Sequence, residues 1–116
     1  MRKLAALMLA AILSSCAVTE PVVVIGPNGQ TLRGTTTGRM NGDGSFSVTD
    51  ERLTCSGNYN SLSTEPTINA KVLCSDGRKG IVISTRESSG LAGHGTVKLN
   101  DGSQWTFIFG SAAANF

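Results

Sequence analysis

The chain has 116 residues, with ten Lys and Arg, eight Asp and Glu, and a formal net charge of +2. This length allows one small domain. The two excess cations, Arg2 and Lys3, lie at the very N-terminus, so the rest of the chain is neutral and its charges are interspersed. Such a surface argues against binding nucleic acid through a basic patch.

The N-terminal segment has the pattern of a secretory signal. Arg2 and Lys3 precede an apolar run over residues 4–13, and small residues precede Cys16. A positive start, a short apolar stretch and a small-residue cleavage site are typical of exported proteins. The apolar run is too short to span a bilayer as a helix, which needs about 20 residues. We therefore predict a helical signal peptide over residues 1–15.

The end of this segment, Leu13-Ser14-Ser15-Cys16, resembles the lipobox of bacterial lipoproteins. The resemblance implies that Cys16 becomes the first residue after cleavage and carries covalent lipid such as palmitate, with no other cofactor. The resemblance also implies that the membrane is a binding partner, to which the lipid on Cys16 attaches the protein. Because residue 17 is Ala and not Asp, it also implies sorting to the outer membrane, facing the periplasm. The chain is thus similar to small outer-membrane lipoproteins of uncharacterised function.

Residues 16–21 are predicted to be the lipidated cysteine and a short tether. At about 3.3 Å per extended residue, this segment would hold the domain close to the membrane. Residues 22–116 are predicted to form a single β domain.

Short β-type runs alternate with turn sequences after residue 21. Among the clearest runs are 45–49, 67–74, 80–85 and 104–109, and Asn-Gly or Asp-Gly pairs lie in the turns near residues 28, 42, 76 and 101. About seven strands joined by short turns predict an all-β antiparallel meander, either a small barrel or a sandwich. Closure into a barrel is attractive because open edges pair with other chains.

The cysteines Cys55 and Cys74 remain as a pair if Cys16 carries lipid. In an oxidising periplasm they can form a disulfide, which in a loop of this size stabilises a domain by about 3 kcal/mol. A redox-active pair is the alternative, but the chain lacks the Cys-x-x-Cys spacing and an adjacent helical pattern. We predict a structural disulfide.

No pattern in the sequence predicts catalysis or a metal site. His94 is the only histidine, and neither a Gly-x-Ser-x-Gly motif nor a recognisable catalytic triad accompanies it. Residues 41–45 superficially resemble a calcium loop, but Arg39 would then stand where a carboxylate ligand is needed. The acidic residues lie mainly in turns, and nothing marks two of them as a catalytic pair. We predict no catalytic residues and no metal.

Loops carry function more often than their share of the chain, so a few polar loop residues are candidates for partner contact. They are Tyr59, Asp76, Arg78, Lys79 and His94. The alternative for residues 76–79 is an ordinary charged hairpin tip, and the alternative for His94 is a solvent-exposed side chain between glycines. Tyr59 is expected to be exposed in a polar link.

Three aromatic residues, Trp105, Phe107 and Phe109, alternate along the last predicted strand. They could form a binding face, but their spacing favours packing in the core.

The sequence therefore favours a non-catalytic binding or structural module of the cell envelope, with an envelope protein or a cell-wall component as its partner. The alternative is a cell-wall-acting enzyme or a protease inhibitor, with a concave site around His94 or Asp76. A pocket with converging polar groups would favour the enzyme, and an exposed apolar patch would favour the binding module.

Overall fold

The computed structural model describes residues 17–89 and 91–116, so the predicted signal peptide and Cys16 lie outside the described residues. Eight strands follow one another, and a single 3₁₀ turn at Ala113–Asn115 comes last. The strands are β1 (Ala17–Ile25), β2 (Thr31–Arg39), β3 (Asp43–Thr49), β4 (Thr54–Asn60), β5 (Thr67–Cys74), β6 (Lys79–Arg86), β7 (Gly93–Leu99) and β8 (Gln104–Phe109). No helix among these residues is long and apolar enough to cross a membrane.

The strands form a closed antiparallel barrel in which each strand pairs with the next and β8 pairs with β1. The predicted all-β antiparallel fold is confirmed, and the barrel is the alternative that forms. The number of strands is eight, where the sequence suggested about seven. A meander closes into a fully antiparallel barrel only with an even number of strands, because only then do its first and last strands run antiparallel to each other.

Strand β1 begins earlier than the sequence suggested. Residues 17–21, predicted as part of a tether, pair with β2 from Ala17 opposite Arg39 onwards. β8 lies beside β1 only from Val22, so Pro21 stands where one side of β1 has no neighbouring strand. The missing N–H of proline is tolerated at such an edge.

Alternate residues of all eight strands point into the interior of the barrel. Trp105, Phe107 and Phe109 are buried there, which confirms that these aromatic residues belong to the core. Phe46 packs edge to face against Phe107, with ring centroids 5.4 Å apart and planes at 77°. Such aromatic pairs add stability beyond the area that they bury.

Two phenylalanines lie directly over glycines of a neighbouring strand. Phe46 covers Gly57 and Phe109 covers Gly93, and in both cases a Cβ on the glycine would lie 2.6 Å from a ring carbon. Glycine inside a strand marks such close approaches and lets a sheet bend into a small barrel.

The two ends of the barrel differ. We call the end that holds the β1–β2, β5–β6 and β7–β8 turns the closed end. There Gly29, Gly77 and Gly102 have φ of 80°, 91° and 87°, and each N–H donates to the carbonyl three residues earlier. Each of these turns is a three-residue hairpin loop with a glycine bulge. The predicted Asn-Gly turn at residues 28–29 and the predicted Asp-Gly turns at 76–77 and 101–102 are therefore confirmed.

We call the opposite end the open end. It consists of the start of β1 and three connections, residues 40–42, 61–66 and 87–92, in which residue 90 is not described. After β8, the chain turns at Gly110, whose N–H donates to the carbonyl of Pro21 at 2.9 Å. The 3₁₀ turn then packs on β1, where Ala113 and Val23 are both buried.

Candidate functional site

The open end of the barrel holds a cavity of about 230 Å³. Phe46, Phe107 and Phe109 line it, together with aliphatic side chains such as Ile68 and Val82. Phe46 also borders a small void of about 10 Å³ among the residues of the closed end, so its ring separates the cavity from the packed half of the core. The cavity is therefore the unfilled half of the barrel interior.

Small side chains account for the space. Gly38, Ala70 and Ser84 occupy inward positions in the open half of β2, β5 and β6. Corresponding positions nearer the closed end carry Leu32 and Val72, which are buried in the core. Eight strands enclose a space that side chains can just fill or that can hold one small ligand. In this chain, the larger inward side chains pack the half near the closed end, and the smaller ones leave a cavity in the half near the open end.

The hydroxyl groups in the cavity wall are bonded to the protein. The Tyr59 hydroxyl lies 2.8 Å from Thr36 Oγ1, and Thr36 in turn donates to the carbonyl of Ser45 at 3.2 Å. Ser84 is only 4% exposed and donates to the carbonyl of His94 at 3.2 Å. Its hydroxyl hydrogen is therefore directed at a main-chain carbonyl, whereas an activated serine nucleophile donates to an adjacent base.

Charged groups lie at the mouth of the cavity. Arg86 donates from its guanidinium group to the carbonyl oxygens of Ser63 and Glu65, which ties the end of β6 to the β4–β5 connection. Glu20 and Arg39 also line the mouth, so both signs of charge are present. Among the described residues, every buried side-chain nitrogen and oxygen has a hydrogen-bond partner.

Tyr59 was expected to be exposed in a polar link, and the structure corrects this. Strand β4 continues to Asn60, and Tyr59 lies at an inward position in alternation with Cys55 and Gly57. The side chain is half buried and packs against the core. Polar neighbours such as Asn58 concealed the strand because they face solvent.

Asp76 and Arg78 lie at the closed end, far along the barrel from the cavity. Arg78 Nε donates to Asp76 Oδ2 at 2.8 Å, and Nη1 donates to Asp101 Oδ2 at 3.0 Å. The guanidinium carbon lies 5.8 Å from the centre of the Trp105 ring system, within reach of a cation–π contact. Arg78 thus joins two turns and covers Trp105.

Asp101 completes this arrangement, which we call the closed-end cap: Asp76, Arg78, Asp101, Ser103 and Trp105. The Ser103 hydroxyl donates to Asp101 Oδ1 at 2.6 Å and accepts the indole N–H of Trp105 at 3.0 Å. Hydrogen bonds from the Ser103 side chain and backbone, followed by Arg78, lower the pKa of Asp101 to about 2. The backbone N–H of Arg78 is the main cause of a lowered pKa at Asp76.

The remaining predicted contact residues are dispersed. Lys79 is exposed at the start of β6, and His94 is exposed on the outer face of β7, opposite Thr85 of β6. The structure therefore does not bring the five predicted contact residues into one site. No three His, Cys, Asp or Glu residues within 17–89 and 91–116 are placed to share a metal ion.

Cys55 and Cys74 are joined by a disulfide in the structure, with an S–S distance of 2.08 Å. They are direct partners in the register of β4 and β5, and both side chains are buried inside the barrel. The pair predicted from the sequence is thus positioned as a link between neighbouring strands.

Comparisons with known proteins identify a fold and no family. No family model matches the chain, and no curated protein matches it. Designed proteins are among the solved structures to which the chain is similar. A redesigned β-barrel has a TM-score of 0.59 and 19% identity, over 79% of this chain and 87% of that one. A de novo designed fluorescence-activating β-barrel has a TM-score of 0.57 and 16% identity, over 78% and 88%. These similarities show the barrel fold alone.

Proposed function

We propose that this chain is a lipid-anchored, non-catalytic binding protein of the cell envelope, and that its barrel holds a small apolar ligand in the open-end cavity. The observation that carries the proposal is the cavity itself, with its mostly apolar walls and hydroxyl groups that are already bonded to the protein. Ligand pockets are typically apolar clefts with few polar groups.

The volume limits the size of the ligand. An engineered cavity of about 150 Å³ lined by apolar side chains can bind benzene, and drug-sized ligands occupy about 300–1,000 Å³. At about 230 Å³, this cavity suits a single ring with a short substituent or the end of an acyl chain. A larger amphiphile could bind by inserting only its apolar part.

The geometry favours binding over the enzyme or inhibitor alternative. That alternative requires a concave site around His94 or Asp76. His94 is exposed on the outer face of β7, and Asp76 is paired with Arg78 at the closed end. Neither residue lines the cavity.

The anchor in this proposal is a lipid on Cys16, which would hold the barrel at the outer membrane, facing the periplasm. Its support is the lipobox, Leu13-Ser14-Ser15-Cys16. Two or three acyl chains would make the attachment stable, whereas one chain alone binds reversibly. Mass spectrometry of the N-terminal peptide from membrane-extracted protein tests the lipid directly, with Cys16→Ser as the unmodified control.

A cavity-filling substitution tests ligand binding. Ala70→Leu places three additional carbons in the cavity, whereas Asn69→Leu places a leucine on the outer face of the same strand. We expect Ala70→Leu to lose binding of toluene, a single ring with one methyl substituent, in an NMR titration, and Asn69→Leu to retain it. Thermal unfolding checks that both variants fold, and the smaller Ala70→Val is used if Ala70→Leu does not. Unchanged toluene affinity in a folded cavity variant would contradict the proposal.

A further inference from the structure

Large apolar side chains are exposed at the open end. Val18, Met40, Leu62 and Leu91 are 52%, 73%, 54% and 49% exposed. One lies at the start of β1, and one lies in each of the three connections of this end. The described turns of the closed end contain no such exposed residue. Other exposed apolar side chains, such as Leu73 and Ile81, lie on the barrel wall. Of the two ends, as far as the structure describes them, the open end is the one that carries exposed apolar side chains, and a group of such side chains marks an interaction site.

These four residues, which we call the rim, also line the cavity. The exposed apolar surface therefore continues into the apolar interior. An occupant that covers the rim would also close the mouth of the cavity, so the surface and the cavity can be explained together.

The chain itself indicates which occupant covers the rim. β1 begins with Ala17 at the open end, so a lipid on Cys16 would be attached two residues before Val18 of the rim. Consecutive Cα atoms are about 3.8 Å apart. The closed end lies a full strand away, which is about 30 Å for the nine residues of β1. The anchor in the proposed function would therefore hold the open end, and not the closed end, at the membrane.

Charge favours an apolar contact over an electrostatic one. The open end carries two cations and four acids, namely Arg39, Arg86, Glu20, Asp43, Glu65 and Glu87. This balance gives no attraction to anionic lipid. Apolar side chains at the rim can instead enter the boundary between headgroups and acyl chains, as amphipathic surfaces do.

We propose that the open end of the barrel lies against the bilayer, with the rim inserted among the lipids, so that the cavity opens toward the membrane. This inference rests on the anchor in the proposed function and specifies the source of the ligand. An acyl chain can then enter the cavity directly from the bilayer.

Spin labels on single introduced cysteines test the orientation. Met40→Cys and Leu62→Cys place labels on the rim, and Asn28→Cys places one in the exposed β1–β2 turn of the closed end. The full lipidated protein is labelled with Cys55–Cys74 oxidised and is reconstituted in phosphatidylcholine vesicles. We expect the rim labels to lose access to a water-soluble nickel chelate and to gain access to oxygen, and the label at position 28 to remain in water.

Mass spectrometry of Cys16 in the same samples separates the two possible failures. Lipid on Cys16 together with rim labels that stay accessible to nickel would overturn the orientation and leave the anchor intact. Absence of lipid would overturn the anchor and, with it, this inference. Dipolar broadening between rim labels would show that a second copy covers the rim, which also overturns it.

A second set of variants tests whether the rim side chains cause the insertion. With the label at Leu91→Cys, the double change Met40→Ser and Leu62→Ser is compared with Leu73→Ser and Ile81→Ser, which remove exposed apolar side chains from the barrel wall. We expect the rim variant to return the label to water and the wall variant to leave it in the bilayer. Equal behaviour of the two variants would contradict a specific role of the rim.

Discussion

Replacing both Cys55 and Cys74 by alanine is expected to lower the free energy of unfolding by about 3 kcal/mol. The two residues are 19 positions apart, and closing a loop of that length in the unfolded chain costs about 3 kcal/mol in the chain-entropy model. In the folded barrel they already face each other in the register of β4 and β5. The bond therefore acts mainly by restricting the unfolded chain.

This effect is large for a small domain, whose total stability is about 5–15 kcal/mol. Each kcal/mol lowers Tm by about 4–8 °C in a domain of 60–100 residues, so we expect a decrease of about 12–24 °C. Urea unfolding followed by tryptophan fluorescence measures the free energy, because Trp105 is the single tryptophan and is buried.

The controls are Ser56→Ala and Leu73→Ala, which alter a directly opposite pair on the outer face, next to the cysteines. Exposed substitutions of this kind change stability by at most about 0.5 kcal/mol. A double alanine variant as stable as these controls would refute the loop-entropy argument. A Cys55 thiol that alkylates readily in protein isolated from cells would show that the bond does not form there.

Three further changes test the core, the closed-end cap and the barrel wall. Phe107→Ala removes a ring that packs on Phe46 and should cost about 3–5 kcal/mol in urea unfolding; a cost near zero would contradict its place in the core. The native pKa of Asp101 is about 2, below its ordinary 3.8. The stability that this carboxylate contributes is therefore present above pH 3.8 and is lost as pH falls toward 2. Tm should thus fall more steeply with acidification in the wild type than in Asp101→Asn, and equal slopes would refute this role. Gly57→Ala would place a Cβ 2.6 Å from the Phe46 ring; it should unfold at lower urea than Ser56→Ala, and equal midpoints would contradict the close approach.

The turns were the part of the fold that the sequence predicted best, because their signals are local. The Asn-Gly pair at residues 28–29 and the Asp-Gly pairs at 76–77 and 101–102 each place glycine where φ is positive. The same glycines fix the ends of six strands. A turn of this kind needs only its own few residues, so no knowledge of distant partners is required.

Strand ends were harder to predict because they depend on the neighbouring strand. Residues 17–21 have no strong β pattern of their own, but β2 offers a partner as far as Arg39. The sequence places Tyr59 in a link for a similar reason, since the outward residues of β4 are polar. Pairing with a neighbouring strand determines both the start of β1 and the end of β4. Such pairing is not visible in a short window of sequence.

The cavity could not be predicted because it depends on which inward residues lie at the same height. Ala70 lies opposite Val82, and Ser84 lies opposite Ile68, only once the register of β5 and β6 is known. Alternation in the sequence identifies the inward face of each strand but does not give this register. The small inward residues Ala70 and Ser84 are visible in the sequence. They predict a cavity only when the alignment between neighbouring strands is also known.

The contrast between the two ends explains how so small a barrel can leave space inside. The disulfide links β4 to β5, and Arg78 joins the β5–β6 and β7–β8 turns over Trp105. A gap in a packed interior forfeits the contacts that its lining would otherwise make. Because covalent and polar links hold the closed half, the open half can keep Ala70 and Ser84 in place of larger side chains. This separation predicts that substitutions of the small inward residues Ala70 and Ser84 would alter binding of the proposed ligand more readily than they unfold the barrel.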